Sequence, residues 1–328
     1  MAENGISVAI GGVAVRICVI GDTGLLGQAL VRGLSTGNEL FGVSAPSPRT
    51  AATIPDHDRA EIDLLEKAAH FFDIMDSFKP ELMINAAACV DIQKCEREPD
   101  YALRINGTLP GQLAQYAARK SASFIHVSTD AVFDGARKIS YCEDDLPNPK
   151  NQYGKSKLAG EQEVLRHHPG ALICRTNIVG FRGWSGMPTF AEWLCDALYY
   201  KKPITLADDF ITSSLHVEDL VSLSFKIIQK QGHGLFHVAT RDAASKYQFG
   251  EVLAVELGVP LLHVTQGSLK DLNLHPPRAG FIALNVQKAE SFLGRKLPDT
   301  KNTAQKLARD YKQQIGKRHH ERSEEKAA

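Results

Sequence analysis

The sequence has no excess of charge of either sign. Its 328 residues contain 38 Lys and Arg against 38 Asp and Glu, so the formal net charge is zero. Proteins that bind nucleic acid or anionic membranes through their overall field usually carry a basic excess. We therefore expect neither as a partner, and any anionic ligand must be held by local groups.

Long apolar runs and cysteine motifs are also missing. No apolar stretch approaches the roughly 18 residues that span a bilayer, and Met1 to Val15 lack the basic start of a secretion signal. The six cysteines show no C-x-x-C or other metal-ligand spacing. We therefore predict reduced thiols in a cytoplasmic protein, and no metal site.

What the sequence does have is a regular alternation of short apolar runs and longer helical stretches from about Arg16. This pattern builds a parallel sheet with helices on both faces. The predicted fold class is therefore α/β, a doubly wound parallel sheet with a smaller C-terminal substrate-binding part. The predicted strands are Arg16–Ile20, Leu40–Val43, Glu81–Asn85, Ser123–Ser128 and Ala171–Thr176, and the predicted helices are Gly24–Ser35, Glu66–Phe78, Tyr101–Lys120 and Asn151–His167.

The alternation becomes less regular after Val179, which indicates how the chain is divided. Short strands at Ile204–Leu206 and Gly234–Val238 flank a helix that begins near Val217, and a last helix covers Thr303 to Gln314. The tail is charged and lacks large apolar residues, so we expect it to be disordered. The predicted divisions are an N-terminal extension (1–15), a nucleotide-binding domain (16–179), a substrate-binding part with some chain returning to the sheet (180–316) and the tail (317–328).

A glycine-rich loop, Gly21-Asp-Thr-Gly24-Leu-Leu-Gly27, follows the first predicted strand and opens a helix. Glycines allow the backbone to approach a pyrophosphate, while the helix N-terminus directs free N–H groups at it. A strand-to-helix turn also uses glycine for packing alone, but this position favours a dinucleotide site. The predicted contacts are Gly21, Asp22, Thr23, Gly24, Leu25, Leu26 and Gly27.

The second strand ends at Ser44 without the acid that many NAD-binding folds place there, and Arg49 follows. An arginine can pair with a ribose 2′-phosphate, and no carboxylate would repel it. We therefore predict NADP(H) as the preferred cofactor. NAD(H) stays an alternative if Arg49 merely lies on a solvated loop. Asp63 and Leu64 are expected at a turn beside the adenine.

Tyr153 and Lys157 are four residues apart, so on a helix they share one face. A lysine ammonium there would stabilise tyrosinate and let a phenol with an ordinary pKa of about 10 exchange protons near neutral pH. The spacing alone is also common on surface helices. Upstream, however, Ser128 and Thr129 end a buried strand at the carboxyl edge where ligands bind, and Thr129 is the better candidate to hydrogen-bond a carbonyl.

With Asn85-Ala-Ala-Ala88, Ser128-Thr-Asp-Ala-Val-Phe-Asp-Gly135 and Arg175-Thr176, these motifs resemble the extended short-chain dehydrogenases, above all the dTDP-4-dehydrorhamnose reductases. The resemblance covers about Arg16 to Gln314. It implies that NADPH reduces C4 of a 4-keto-6-deoxy sugar nucleotide while Tyr153 supplies the proton. The implied catalytic residues are Thr129, Tyr153, Lys157 and, through a water or backbone link, Asn106; further cofactor contacts are Asn85, Ala86, Ala87, Ala88, Ser128, Tyr153 and Lys157, and substrate contacts are Ser128, Thr129, Asp130, Val132, Phe133, Tyr153, Asn177 and Arg278.

The chain departs from the reductase pattern where substrate is selected. The reductases continue Arg-Thr with Ser-Trp-Val-Tyr, whereas here Asn177-Ile-Val-Gly180 comes next, and a later arginine pair survives only as Arg278. The Asp-Glu pair of related dehydratases is also absent, because Ala131 comes after Asp130. Ketone reduction is therefore favoured over elimination, while the hexose and the nucleotide stay open.

Two other functional interpretations remain. The chain could catalyse another reaction of this fold, such as epimerisation or reduction of a different ketone. It could also be a non-enzymatic regulatory subunit, because the β subunit of methionine adenosyltransferase shares the fold and many of the motifs. A homodimer is a further possibility, and we expect His126 and Trp193 in the core.

Overall fold

The computed structural model describes residues 14–46, 55–184 and 187–325, with 316–325 described as helical backbone only. The strands are β1 (Arg16–Ile20), β2 (Glu39–Ser44), β3 (Asp58–Glu61), β4 (Leu82–Asn85), β5 (Ser123–Thr129), β6 (Leu172–Val179), β7 (Ile204–Ala207), β8 (Ile211–Thr212), β9 (Ser214–His216), β10 (Gly234–His237), β11 (Ala244–Ser245) and β12 (Val264–Gly267). The α-helices are α1 (Leu25–Leu34), α2 (Ala68–Phe78), α3 (Ile92–Arg97), α4 (Pro99–Leu103), α5 (Leu109–Arg119), α6 (Gln152–His167), α7 (Phe190–Tyr199), α8 (Val217–Gln229), α9 (Lys246–Leu257), α10 (Gln287–Leu293) and α11 (Thr300–Glu325).

The main sheet is parallel and doubly wound, as predicted. Its strands lie in the order β10-β6-β5-β4-β1-β2-β3. β9 pairs with residues 177–179 of β6, beyond the part of β6 that pairs with β10, so the C-terminal half of the chain returns to this sheet. The winding direction reverses between β1 and β4, and ligands of such sheets bind outside the carboxyl ends of the strands at that point.

Alternate residues of the central strand β1 pack into two different hydrophobic clusters. Ile17 and Val19 lie in a cluster with α1 and α8, whereas Cys18 and Ile20 lie in one with α2 and α5. A strand covered on both faces must be apolar at every position, which is why β1 reads as a continuous apolar run.

The C-terminal part has a third hydrophobic cluster, formed mainly by α7, α9 and α11. Beside it, β7 pairs with β12 and β8 pairs with β11 in two small sheets. In the described ranges, no helix is both long and apolar enough to cross a membrane. All six cysteines are free thiols.

Three predicted features differ from the structure. The edge strand β3 is missed because its sequence, Asp-Arg-Ala-Glu, carries almost no apolar signal. The helix predicted over Tyr101–Lys120 is interrupted by a π-helical turn at Arg104–Thr108. α11 continues to Glu325, so most of the segment predicted as a disordered tail is helical; its Lys, Arg and Glu residues are good helix formers.

The two side chains expected in the core behave differently. His126 is fully buried and lies 3.2 Å from the side-chain amide of Asn85, as expected for a core histidine. The prediction for Trp193 is wrong, because 38% of this residue is exposed. Its helix, α7, buries a different face, and the indole packs only at the edge of that face beside Phe190.

Candidate active site

The glycine-rich loop lies between β1 and α1, and its three glycines have different reasons to be small. A Cβ on Gly21 would lie 2.7 Å from the Ala87 nitrogen, and one on Gly27 would lie 1.9 Å from the Gly21 oxygen. Packing of the chain on itself therefore requires both. At Gly24 the nearest atom would be 3.3 Å away, and no side chain caps the helix that Gly24 begins. The first N–H groups of α1 thus have no side-chain cap, and such groups can bind an anion like a pyrophosphate.

Within this loop, the Asp22 side chain points toward β2 and β3. Its carboxylate oxygen Oδ2 lies 3.1 Å from Arg59 Nε and 3.3 Å from His57 Nε2. Burial alone would raise the pKa of Asp22, but hydrogen bonds from His57, Arg59 and Ser44, with the charge of Arg59, bring it below its ordinary value. Asp22 is therefore an ionised anchor inside the protein. Arg49, the predicted phosphate-binding residue, lies outside the described residues.

Several other predicted cofactor contacts turn their side chains away from solvent. Leu26 and Leu64 are buried in the hydrophobic core, where neither side chain can reach a ligand, because each occupies an inward position of its element. The Asn85 side chain accepts the Ala87 N–H and contacts His126. Asp63 is exposed at the turn after β3, with one carboxylate oxygen accepting the Leu65 N–H. The half-buried residues Thr23, Gly24, Leu25, Ala86, Ala87 and Ala88 stay at the open edge.

The structure brings the Thr129 and Tyr153 side chains near each other at the end of β5. The Thr129 hydroxyl accepts the Ala131 N–H at 3.1 Å and donates to the Asp130 carboxylate at 3.2 Å, and it lies near enough to the Tyr153 phenol to lower the pKa of that group. Tyr153 lies in the first turn of α6, where the side chain of Asn151 caps the helix by accepting the Gly154 N–H. The end of the predicted strand β5 and the start of the predicted helix α6 therefore lie next to each other.

The electrostatics of Tyr153 differ from the prediction. Burial raises the pKa of the phenol above its ordinary value, the nearby Thr129 hydroxyl opposes this, and the charge of Asp130 raises it further. The Lys157 ammonium donates to the Val127 carbonyl at 2.7 Å, and burial lowers its own pKa to about 8. The expected lowering of the Tyr153 pKa by Lys157 is thus absent here, because the ammonium is directed at β5. Tyr153 holds its proton firmly.

Asn106 lies in the π-helical turn and links two other segments. Its side-chain oxygen accepts the Cys89 N–H at 2.8 Å, and its amide donates to the Cys89 carbonyl at 3.0 Å and to the Ser156 hydroxyl at 3.1 Å. A π-turn inserts one extra residue and often re-aims a side chain at a functional site. Here Asn106 positions the loop after β4 against α6, the helix that carries Tyr153.

Three residues predicted to contact substrate or cofactor have side chains that are buried against other parts of the chain. The Ser128 hydroxyl donates to the buried Glu161 carboxylate at 2.5 Å, so it faces α6 rather than the ligand edge. Val132 and Phe133 are fully buried, and Phe133 stacks on Tyr141 with ring centroids 4.1 Å apart. They come after Thr129 in a 3-10 turn that leads the chain back into the core, which is why an adjacent sequence position does not mean an adjacent ligand.

Asp130 and Asn177 lie beside Thr129, in a hydrogen-bond network that the sequence did not reveal. Asn177 donates to Asp130 at 2.8 Å and accepts the Ser214 hydroxyl at 3.0 Å, and the Lys246 ammonium lies 3.3 Å from Ser214 and 3.0 Å from Thr212. Burial raises the pKa of Asp130 to about 6 and lowers that of Lys246 to about 8. The Lys246 position carries no motif beyond the cap that starts α9.

Arg278 is half-buried in the loop after α9 and β12, with its guanidinium donating to the Pro276 carbonyl at 2.7 Å. In the same loop, the Gly280 carbonyl accepts the Ile211 N–H of β8, and the Ile282 N–H donates to the Ile211 carbonyl. The neighbouring Thr212 accepts from Lys246. Arg278 therefore belongs to the same part of the molecule as the hydrogen-bond network that contains Asn177 and Lys246. In the described ranges, no cluster of three or more His, Cys, Asp or Glu side chains could hold a metal ion.

Residues 15–313 match a family model described as the RmlD substrate binding domain. The chain is 32% identical over 282 residues to a probable low-salt glycan biosynthesis reductase of Haloferax volcanii, covering 85% of this chain and 93% of the relative. It is 28% identical over 256 residues to methionine adenosyltransferase 2 subunit beta of Bos taurus, covering 76% of this chain and 74% of the relative.

Among solved structures, the fold is similar to that of a dTDP-4-dehydrorhamnose reductase from Bacillus anthracis in complex with NADP. The TM-score is 0.75, and the alignment covers 90% of this chain and 98% of that chain at 22% identity. At this identity the likeness shows the shared fold.

Proposed function

Because this chain belongs to the RmlD substrate-binding-domain family, we propose that it is an NADP(H)-dependent reductase of a 4-keto-6-deoxy sugar nucleotide. Its relatives include reductases of glycan biosynthesis, which supports an oxidoreductase in general. The observation that supports the specific proposal is that the Thr129 and Tyr153 side chains lie near each other at the carboxyl edge of the sheet, the edge where the glycine loop also lies. The proposed nicotinamide site and the proposed proton donor would thus share one edge.

The side chains at this edge can perform the proton half of a ketone reduction. A bound reduced nicotinamide would supply hydride. Thr129 can hold the substrate carbonyl oxygen by a hydrogen bond, and Tyr153 can donate its proton to the same oxygen as negative charge develops there. Since burial raises the Tyr153 pKa, the phenol is protonated across the physiological pH range. Lys157, one turn further along α6, would hold the hydroxyls of the nicotinamide ribose, as the family resemblance implies.

The preference for a reductase over a dehydratase rests on the two residues after Thr129. Elimination of water from a sugar needs its own acid and base. Here Asp130 is buried and already accepts from Asn177, and Ala131 takes the place of the second acid. Ketone reduction needs neither.

The sugar pocket should differ from that of rhamnose-forming enzymes. Ile178 and Gly180 stand where those enzymes carry an aromatic pair. The space beside Gly180 is filled by Val217 and Leu25, so the additional room for a ring substituent is expected at Ile178, which is smaller than the aromatic residue it replaces. We therefore propose a hexose other than the 4-keto precursor of rhamnose.

The test is a substrate panel. The purified chain, with NADPH or NADH, is assayed on 4-keto-6-deoxy sugars linked to dTDP, GDP and UDP, with Tyr153→Phe as the matched inactive control. Oxidation of NADPH that depends on Tyr153 and is faster with a hexose other than dTDP-4-dehydrorhamnose supports the proposal. Preference for dTDP-4-dehydrorhamnose would contradict the pocket argument, and no turnover of any sugar with cofactor bound would contradict the reductase function.

A second candidate is a regulatory subunit, which the similarity to the beta subunit of methionine adenosyltransferase 2 favours. In that case cofactor binding would be retained without turnover. Co-elution of the chain with a methionine adenosyltransferase catalytic subunit on size-exclusion chromatography tests this function. The same column reports whether the chain alone is a homodimer.

A further inference from the structure

Arg59 reaches from the edge strand β3 to the carboxyl end of β2. It lies opposite Gly42 in the β2–β3 register. Its Nε lies 3.1 Å from the Asp22 carboxylate, and its Nη2 donates to the Ser44 hydroxyl at 2.9 Å. Because the end of the second strand is where doubly wound folds place the adenosine ribose, this guanidinium lies beside the ribose subsite.

The accessible part of this cluster is positive although it contains a carboxylate. Asp22 is fully buried and His57 nearly so, whereas 37% of the Arg59 side chain is exposed. The carboxylate therefore lies behind the guanidinium and holds it in place. Glu61 also approaches Arg59, at 3.8 Å, but it is more than half exposed, so solvent screens its charge.

The sequence of β2 is adapted to this cluster. A Cβ on Gly42 would lie 2.4 Å from His57 Nε2 and 2.5 Å from Asp22 Oδ2. Only glycine leaves room for the carboxylate and the imidazole to meet beneath Arg59.

Building on the proposed function, we propose that Arg59 forms the binding site for the 2′-phosphate of the cofactor's adenosine ribose. Two of its five N–H donors hold Asp22 and Ser44, and the remaining ones are available to a phosphate monoester. A guanidinium that is already fixed loses little conformational entropy when it binds such a group, and its planar fork suits phosphate oxygens. Arg59 thereby selects NADP(H) over NAD(H).

The experiment measures dissociation constants of the full chain by calorimetry for NADPH, NADH, adenosine 2′,5′-bisphosphate and 5′-AMP. Arg59→Ala should weaken NADPH and the bisphosphate at least tenfold, while NADH and 5′-AMP change less than twofold. Arg16→Ala is the matched control, because the Arg16 side chain is similarly exposed (41%) and pairs with Glu81. This pair lies at the amino ends of β1 and β4, away from the carboxyl ends where the cofactor is proposed to bind. The control variant should change none of the four constants.

Arg59→Lys guards against a folding defect, because it keeps the charge and should give an intermediate loss of NADPH affinity. Equal weakening of NADPH and NADH by Arg59→Ala, or no change in either, would overturn the proposal. The proposal would also be overturned if Arg49→Ala abolished the preference for NADPH while Arg59→Ala retained it. If the unmutated chain binds NADH as tightly as NADPH, only the 2′-phosphate site fails; if it binds no nicotinamide nucleotide, the proposed function itself fails.

Discussion

Arg175 and Glu161 form a two-point ion pair that is buried between β6 and α6. Arg175 Nε lies 2.9 Å and Nη2 lies 2.7 Å from the two carboxylate oxygens, and the Ser128 hydroxyl donates to one of these oxygens. The pair therefore ties β5, β6 and α6 together directly behind Tyr153 and Lys157. Arg175 and Glu161 therefore contribute to the candidate active site by fixing the position of α6, the helix that carries Tyr153 and Lys157.

Removing one partner of this pair should be costly. Glu161→Ala leaves the Arg175 guanidinium buried without its counter-charge, and we expect the free energy of unfolding to fall by about 3–5 kcal/mol. Urea denaturation followed by circular dichroism measures this. The double variant Glu161→Leu, Arg175→Met should recover much of the loss, since apolar residues of similar size replace both charges. A loss below about 1 kcal/mol in the single variant would contradict the structural role.

Variants of Tyr153 and Lys157, the two candidate catalytic residues of α6, should separate chemistry from binding. Tyr153→Phe removes only the acidic proton, so ketone reduction should fall at least about a hundredfold, the usual contribution of a general acid, with an unchanged NADPH dissociation constant. Lys157→Met should impair both rate and NADPH binding. Stopped-flow reduction and fluorescence titration measure the two effects. Near-full turnover by Tyr153→Phe would assign the proton donor elsewhere.

The glycine loop offers a pair of variants with opposite expectations. Gly27→Ala would place a methyl group 1.9 Å from the Gly21 backbone oxygen, so the melting temperature should fall markedly. Gly24→Ala needs only a small shift of the chain, because its Cβ would lie 3.3 Å from the Gly21 backbone oxygen, but it adds a methyl group at the start of α1. It should keep the melting temperature within a few degrees and weaken NADPH and NADH alike. A folded Gly24→Ala variant with unchanged cofactor affinity would show that the pyrophosphate lies elsewhere.

Asp130 should make stability depend on pH. Burial raises its pKa in the folded protein from 3.8 to about 6, so between these values the folded state holds a proton that the unfolded state releases. The stability of the fold therefore falls as pH rises from about 4 to about 6, by up to about 3 kcal/mol. Asp130→Asn abolishes this contribution, so the variant should gain stability relative to the parent across that window. Urea denaturation at pH 4.5, 5.5 and 7 checks this; a pH-independent difference would contradict it.

Arg278 should matter for substrate and not for cofactor. If its guanidinium binds the diphosphate of the nucleotide sugar, Arg278→Ala loses a charge-assisted contact and should raise KM at least tenfold, equivalent to about 1.4 kcal/mol. The NADPH dissociation constant should stay unchanged. Steady-state kinetics with the best sugar of the panel measures KM, and an unchanged KM would place the diphosphate away from this loop.

Much of the fold and part of the candidate site could be predicted from local patterns alone. Runs such as Arg16–Ile20 are apolar at nearly every position because both faces of a central strand are covered, and the family matches confirm the predicted resemblance. The pairing of Tyr153 with Lys157 on one helix face is a consequence of the helix period, and the loop from Gly21 to Gly27 marks the strand-to-helix turn by its glycines. Each of these signals is carried by residues that are near one another in the chain.

Only the tertiary structure decided which side chains face a ligand. Ser128 and Phe133 belong to the same motif as Thr129, yet they turn inward because Glu161 and Tyr141 lie there. Arg59 meets Asp22, and Lys246 meets Ser214, across 37 and 32 residues of chain. Such contacts depend on the order and register of the strands, which juxtapose residues that no local periodicity relates. The balance of burial and partner charge that sets the pKa of Asp130 and Tyr153 arises at that same level, because it is a property of the packed surroundings.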